Sequence, residues 1–302
     1  MKKIAYIFVL LTAAVLTVAG VEVEKFIPRQ APGIARIDIN RMLTSPELKT
    51  VIEKNDKLKP LLDQVCEMFK DPTGQTVKSS DIFSGQLWIA QTGSSSREVT
   101  IYSQTAVKEA DLQAAASRNP GCKTVNAADR KAYVYTRSGE AVAIVYLAED
   151  VLLISRLSER LVQEITASLQ GGGNPLLANI DRKDLVAVAA DVAAATGKRK
   201  PKVKFVNGKL NLNKGLDLNC DLQLHCRNSK EALKQAMQIQ FAVPGFIGML
   251  FSKDEKLATT LSEGLQIIPQ ENVLNINFAV KKDTLQQLVT YMSKPENRPV
   301  LP

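Results

Sequence analysis

The stretch between residues 216 and 226 constrains the fold most tightly. Leu216, Leu218, Cys220, Leu222, Leu224 and Cys226 take every second position, and Asp217, Asn219, Asp221, Gln223 and His225 take the positions between. Side chains alternate across a strand, so this stretch has one apolar and one polar face. It reads as a half-buried strand, which needs neighbouring strands and an apolar cover on one side only.

The rest of the chain supplies both. Strands are expected at Ile34–Ile39, Gln86–Thr92, Glu98–Gln104, Lys131–Arg137, Ala141–Leu147 and Val151–Ser155. Helices are expected after Ser45-Pro46-Glu47, on the face Leu62, Cys66 and Phe69 beyond Pro60, at Val107–Ser117 and at Glu159–Leu169. Serine is a good N-cap, proline suits the first helical position, and glutamate favours the first turn. Ser94-Ser95-Ser96 after Gly93 reads as a hairpin loop, and so does Asn207-Gly208. After Gly171-Gly172-Gly173-Asn174-Pro175 the pattern restarts with a strand at Leu185–Asp191. A helical region follows from Lys230 to about Gly264, with a break expected near Pro244-Gly245. Strands at Leu265–Pro269 and Val273–Val280 and a helix at Asp283–Met292 complete it.

Both halves run in the same order. A strand precedes Lys108-Glu109-Ala110 in one half and Lys230-Glu231-Ala232 in the other, and each half ends in a helix with a Leu-Val pair. The expectation is an α+β protein of two similar units, each an antiparallel sheet with helices packed on one face. The units are assigned to residues 21–170 and 185–302, joined by a linker at 171–184.

Residues 1–20 have the three regions of a secretory signal peptide. Lys2 and Lys3 form a positive head, Ile4–Val18 an apolar run, and Val18-Ala19-Gly20 a small-residue cleavage site. The run is shorter than the ~20 residues a spanning helix prefers. Export to the periplasm or exterior is expected, with no membrane span after cleavage. Retention of the segment as an anchor is the alternative. The net charge of +8 falls by two lysines to +6 on cleavage.

Ala35-Arg-Ile-Asp-Ile-Asn40 before Ser45-Pro-Glu-Leu48, the strand Val151–Ser155 before a helix, and Lys230-Glu-Ala232 after the long alternating strand carry a resemblance. The chain resembles uncharacterised exported tandem α+β proteins of planctomycete-type bacteria. That resemblance implies an envelope location and carries over no functional residue.

Candidate chemistry is sparse. One histidine excludes a multi-histidine metal site. Cys220 and Cys226 stand ~20 Å apart along a strand, His225 points to the other face, and zinc needs its ligands ~2 Å away. The same span forbids a Cys220–Cys226 disulfide without a sharp bend. Cys66 and Cys122 are the pair that an exporting compartment would allow to bridge. There is no Gly-x-Ser-x-Gly elbow for a His225 triad, Gly171–Gly173 lacks dinucleotide spacing, and Gly197-Lys198 lacks the rest of a phosphate loop. No catalytic residue, cofactor or metal is assigned.

Two segments remain. Lys198, Arg199, Lys200, Lys202 and Lys204 put five cations in seven residues, with Pro201 opposing a regular helix. They suit an anionic envelope lipid or acidic glycan, whereas export and few aromatics argue against nucleic acid. Phe241–Phe251 is eleven residues without a charge, expected to pack under the second sheet. The expected function is a non-catalytic exported protein acting by binding or structural contact. The alternatives are a carrier of a lipid or other apolar ligand and a hydrolase with an unrecognised carboxylate pair.

Overall fold

The computed structural model describes residues 22–38, 41, 84–93, 98–137, 140–156, 158–213 and 217–292. The expected signal segment, the expected helices around Ser45 and Pro60, and the expected Ser94–Ser96 loop lie outside the described residues. The chain is α+β and divides into two compact units, Met1–Ile180 and Asp181–Pro302.

In the first unit, β1 (Gly33–Asp38), β2 (Gln86–Gln91) and β3 (Val99–Gln104) form an antiparallel meander. Helix α1 (Glu109–Arg118) follows, with Glu109 and Asp111 in its first turn and Arg118 in its last, as the helix dipole favours. Then come β4 (Cys122–Ala127), β5 (Arg130–Arg137), β6 (Glu140–Ala148), β7 (Val151–Arg156) and helix α2 (Leu161–Gln170). Strand β7 returns beside β3, giving the order β1-β2-β3-β7-β6-β5-β4 with antiparallel pairs throughout. β4 has no counterpart among the expected strands, because Lys123, Thr124, Val125 and Asn126 are all exposed and offer no alternation.

The register separates two faces. Tyr102 and Ser155 reach α2, through Tyr102 Oη to Ser168 Oγ at 2.9 Å and Ser155 Oγ to Glu164 Oε2 at 2.6 Å. Tyr133 and Tyr146 reach the other way, donating to Glu109 Oε1 at 3.2 Å and to the Val107 carbonyl at 2.7 Å. Helices α2 and α1 therefore meet opposite faces, and Ala143, Ile144 and Val145 in succession are fully buried. The expected cover on one face is exceeded in this unit.

The second unit opens with β8 (Val186–Asp191), the one-turn helix α3 (Val192–Thr196), β9 (Val203–Leu212) and β10 (Leu218–Cys226). Helices α4 (Ser229–Leu250) and α5 (Glu255–Glu263), strands β11 (Leu265–Gln270) and β12 (Val273–Val280), and helix α6 (Lys282–Met292) complete it. The order is β8-β9-β10-β12-β11, again antiparallel. Helices cover one face, where Ile247, Phe251, Leu257, Leu261, Val280 and Leu285 form the core. The other face is polar: Asn207 donates to Gln223 and Gln223 to Asn275, both at 3.1 Å.

Two expectations fail here for physical reasons. Asn207-Gly208 is not a turn but the middle of β9, where Gly208 pairs with Leu222. A Cβ on Gly208 would lie 2.8 Å from Leu222 Cδ1 and 3.1 Å from the Asp221 carbonyl, so the glycine serves close packing. Helix α4 also does not break at Pro244 but runs through it to Leu250. The chain breaks instead at Phe251–Asp254, where the Asp254 carboxylate accepts from the Leu257 N–H at 3.0 Å and starts α5.

Candidate functional site

The basic loop joins α3 to β9. Gly197, at φ 66°, ends α3 in the left-handed conformation that glycine adopts without strain. Lys198, Arg199, Lys200, Lys202 and Lys204 are all exposed. The loop is held at its base by Arg227, the residue after β10. The Arg227 backbone N–H donates to the Lys202 carbonyl at 2.9 Å, and its Nη2 donates to the Lys200 and Pro201 carbonyls at 2.7 and 3.4 Å. An arginine donating to carbonyls keeps its charge, so the tether adds a cation.

Two residues on, α4 begins. Asn228 caps it, accepting from the Glu231 N–H at 2.9 Å. Lys230 and Lys234 project from its first turns and are exposed. The four loop cations, Lys204 at the start of β9, Arg227, Lys230 and Lys234 thus share one end of the second unit, although Lys198 and Lys230 stand far apart in sequence. The spacing within the loop is legible in the sequence; the additions from Arg227, Lys230 and Lys234 depend on the β9–β10 pairing.

The structure corrects the burial expected for Phe241–Phe251. Ile247 and Phe251 enter the core, but Phe241 is 81% exposed, Met249 63% and Phe246 38%. Leu233 and Met237, each 54% exposed, extend the exposed apolar surface toward the basic end. Leu233, Met237 and Phe241 stand at i, i+4 and i+8, one line about 12 Å long on the helix surface. On the flank next to that line, Ala232 and Ala236 are buried. The sequence signal for the exposed line is present but ambiguous, because α4 is apolar on most of its circumference.

The remaining candidates fall apart in space. His225 lies on the open sheet face, with Nε2 3.0 Å from Asn207 Oδ1 and its ring edge-on to Phe205 at 5.4 Å. Cys226 is buried beneath the helices, and burial pushes the Cys220 thiol up to about 11. Burial also raises the Cys122 and Cys226 thiols above their usual value. Cys66 lies outside the described residues, so its pairing with Cys122 has no geometry. The three glycines at 171–173 all have positive φ, and they carry the chain out of α2 rather than around a cofactor. A cleft of about 290 Å³ at the end of α5 is lined by Thr260, Leu261, Glu263, Gln266, Val280 and Lys281 among others, a mixed polar and apolar wall with no paired carboxylates.

No family model matches the chain, and no curated protein matches it. Among solved structures it is similar to crystal form I of the spirochete protein TP0453, at 12% identity. That likeness covers 91% of this chain and 98% of the other, with a TM-score of 0.48. A likeness at that level carries no argument about what this chain does.

Proposed function

We propose that this chain is an exported, non-catalytic envelope protein that acts by binding an anionic surface. The observation that carries the reading is the exposed basic run Lys198–Lys204, a loop continued into the first residues of β9 and pinned by Arg227 beside Lys230 and Lys234. Each cation near an anionic membrane surface contributes ~1 kcal/mol, so a pinned group gives affinity where a single lysine does not. The signal-like residues 1–20 support export, and the shared order of meander, helix, hairpin and helix supports one unit used twice. In that comparison the β4–β5 hairpin is an insertion in the first unit.

The carrier reading ranks second. It needs an apolar cavity under residues 241–251, and side chains of Ile247, Phe251, Leu257, Leu261 and Leu285 pack there. The hydrolase reading has no facing carboxylates in the cleft beside α5 to support it.

The test is sedimentation of the mature protein with anionic vesicles and with acidic glycan, over a salt series. Replacing Lys198, Arg199, Lys200, Lys202 and Lys204 by Gln is expected to weaken binding, and salt to mimic the loss. Absence of salt-sensitive binding to either surface removes the reading. N-terminal sequencing of the fractionated protein tests export separately; a cytoplasmic protein retaining Met1 ends that part.

A further inference from the structure

We infer that α4 docks in the plane of an anionic bilayer, with Leu233, Met237 and Phe241 entering the acyl boundary while the basic loop meets headgroups. This rests on the anionic-surface reading and names which surface it is. An acidic glycan would satisfy the cations but leave the apolar line in water. A bilayer satisfies both, since an interfacial helix buries an apolar face below the headgroups and sets cations against anionic lipid.

Charge decides between a bilayer and a second copy of the chain. Glu231 is the only acid in α4, and it sits half-buried in the first turn. The exposed side otherwise offers apolar groups, the amides of Gln238 and Gln240, and Lys230 and Lys234. A second copy would therefore present an acid-free helix face to these lysines, burying cations without partners. Anionic headgroups supply the missing charge. The apolar line is also the wrong surface for water: a Phe at 81% exposure, in line with a Leu and a Met at 54%, is a contiguous patch rather than scattered residues.

The experiment uses the mature protein and phosphatidylcholine vesicles with and without phosphatidylglycerol. The double variant Met237→Ser with Phe241→Ser keeps every cation and replaces two exposed side chains, so its thermal melt should match wild type. Its partition onto phosphatidylglycerol vesicles should fall at least about tenfold, the effect of losing one Phe and one Met from an apolar environment. A separate variant, Phe241→Trp, should show blue-shifted emission on the same vesicles and none on phosphatidylcholine alone, read against the constant background of buried Trp88. Salt-sensitive vesicle binding that the double variant leaves intact, with unshifted emission from the Phe241→Trp protein, overturns the helix docking and spares the loop reading. Binding to acidic glycan but not to vesicles does the same. Binding to neither overturns both. A concentration-dependent dimer that the double variant abolishes also overturns it, by assigning the face to a second copy.

Discussion

Ser155 donates its hydroxyl to Glu164 at 2.6 Å, tying β7 to the helix that follows it. The same carboxylate accepts from Thr100 Oγ1 and Thr92 Oγ1, each at 3.2 Å, so one side chain of α2 gathers β7, β3 and the residue that follows β2. Ser168, one turn on, donates to the Glu164 carbonyl at 2.7 Å and pairs with Tyr102. Burial raises the Tyr102 hydroxyl far above the ordinary tyrosine value, and it stays neutral. The cluster has the residue types of a Ser–Glu catalytic pair, yet Ser155 and Thr100 are buried and every hydroxyl is spent on structure.

Glu164→Ala should therefore destabilise the protein by about 1–3 kcal/mol, the cost of leaving buried hydroxyls without an acceptor. Denaturant unfolding measures it. Glu164→Gln keeps one acceptor oxygen and should lose less. Equal and negligible losses in both would show that the cluster contributes no stability.

Gly171 ends α2 at φ 56°, and a Cβ there would collide with the Lys25 carbonyl. Gly172 has φ 75° and open space around the same position, and its N–H donates to the Lys25 carbonyl at 3.0 Å. Both glycines lose ~1–2 kcal/mol when replaced by alanine, because left-handed backbone is costly for L-residues. Gly171→Ala should lose more, since its backbone must also move. Thermal melts of the two variants compare them directly; an equal shift would mean that the Lys25 contact relaxes freely.

These glycines also mark how much was legible. The triple glycine reads as a break, and α2 does end there. What composition hides is that Asn174 Nδ2 donates to the Pro28 and Ala31 carbonyls at 2.8 and 3.1 Å, holding the segment against the start of the first unit. Those bonds span 146 and 143 residues and leave no local pattern. The same distinction runs through the chain. Alternation reveals β10 and β12, whose partners lie beside them on a half-covered sheet. It misses β4, exposed on nearly every residue, and misreads Gly208, whose reason is Leu222 on the next strand. At the site, the basic run is visible as composition, whereas its union with α4 exists only once β9 and β10 pair.

Asp217 predicts a pH dependence. Its carboxylate accepts from Lys281 Nζ at 3.0 Å, from the Lys282 N–H at 3.1 Å and from Asn213 Nδ2 at 3.2 Å. The Lys281 bond foremost, then the Lys282 N–H, hold its pKa below the usual carboxylate value. A depressed folded pKa means that the unfolded chain takes up the proton first as pH falls. The contribution is therefore whole above the ordinary aspartate value of about 3.9, and lost as pH drops through the lowered folded value. Asp217→Asn should flatten the acid limb of a stability–pH curve while leaving its neutral-to-alkaline shape. An unchanged acid limb would mean that other carboxylates dominate it.

The thiols offer the last test. Cys226 is 1% exposed, while Cys122 and Cys220 are half-buried. Burial raises all three pKa values, with Cys220 pushed up to about 11, its proton further held by the nearby Asp221 carboxylate. The thiolate is the reacting form, so native cysteines with raised pKa values should alkylate slowly near neutral pH. Among the described cysteines of the reduced protein, Cys122 should label first as pH rises, because its shift is smaller than that of Cys220 and it is more open than Cys226. Cys226 should label only on unfolding, and peptide mapping after timed alkylation reads the order. Native labelling of Cys226 as fast as Cys122 would mean that the helix cover over β10 opens readily. In that case α4 would be a mobile element instead of the fixed platform that interfacial docking requires.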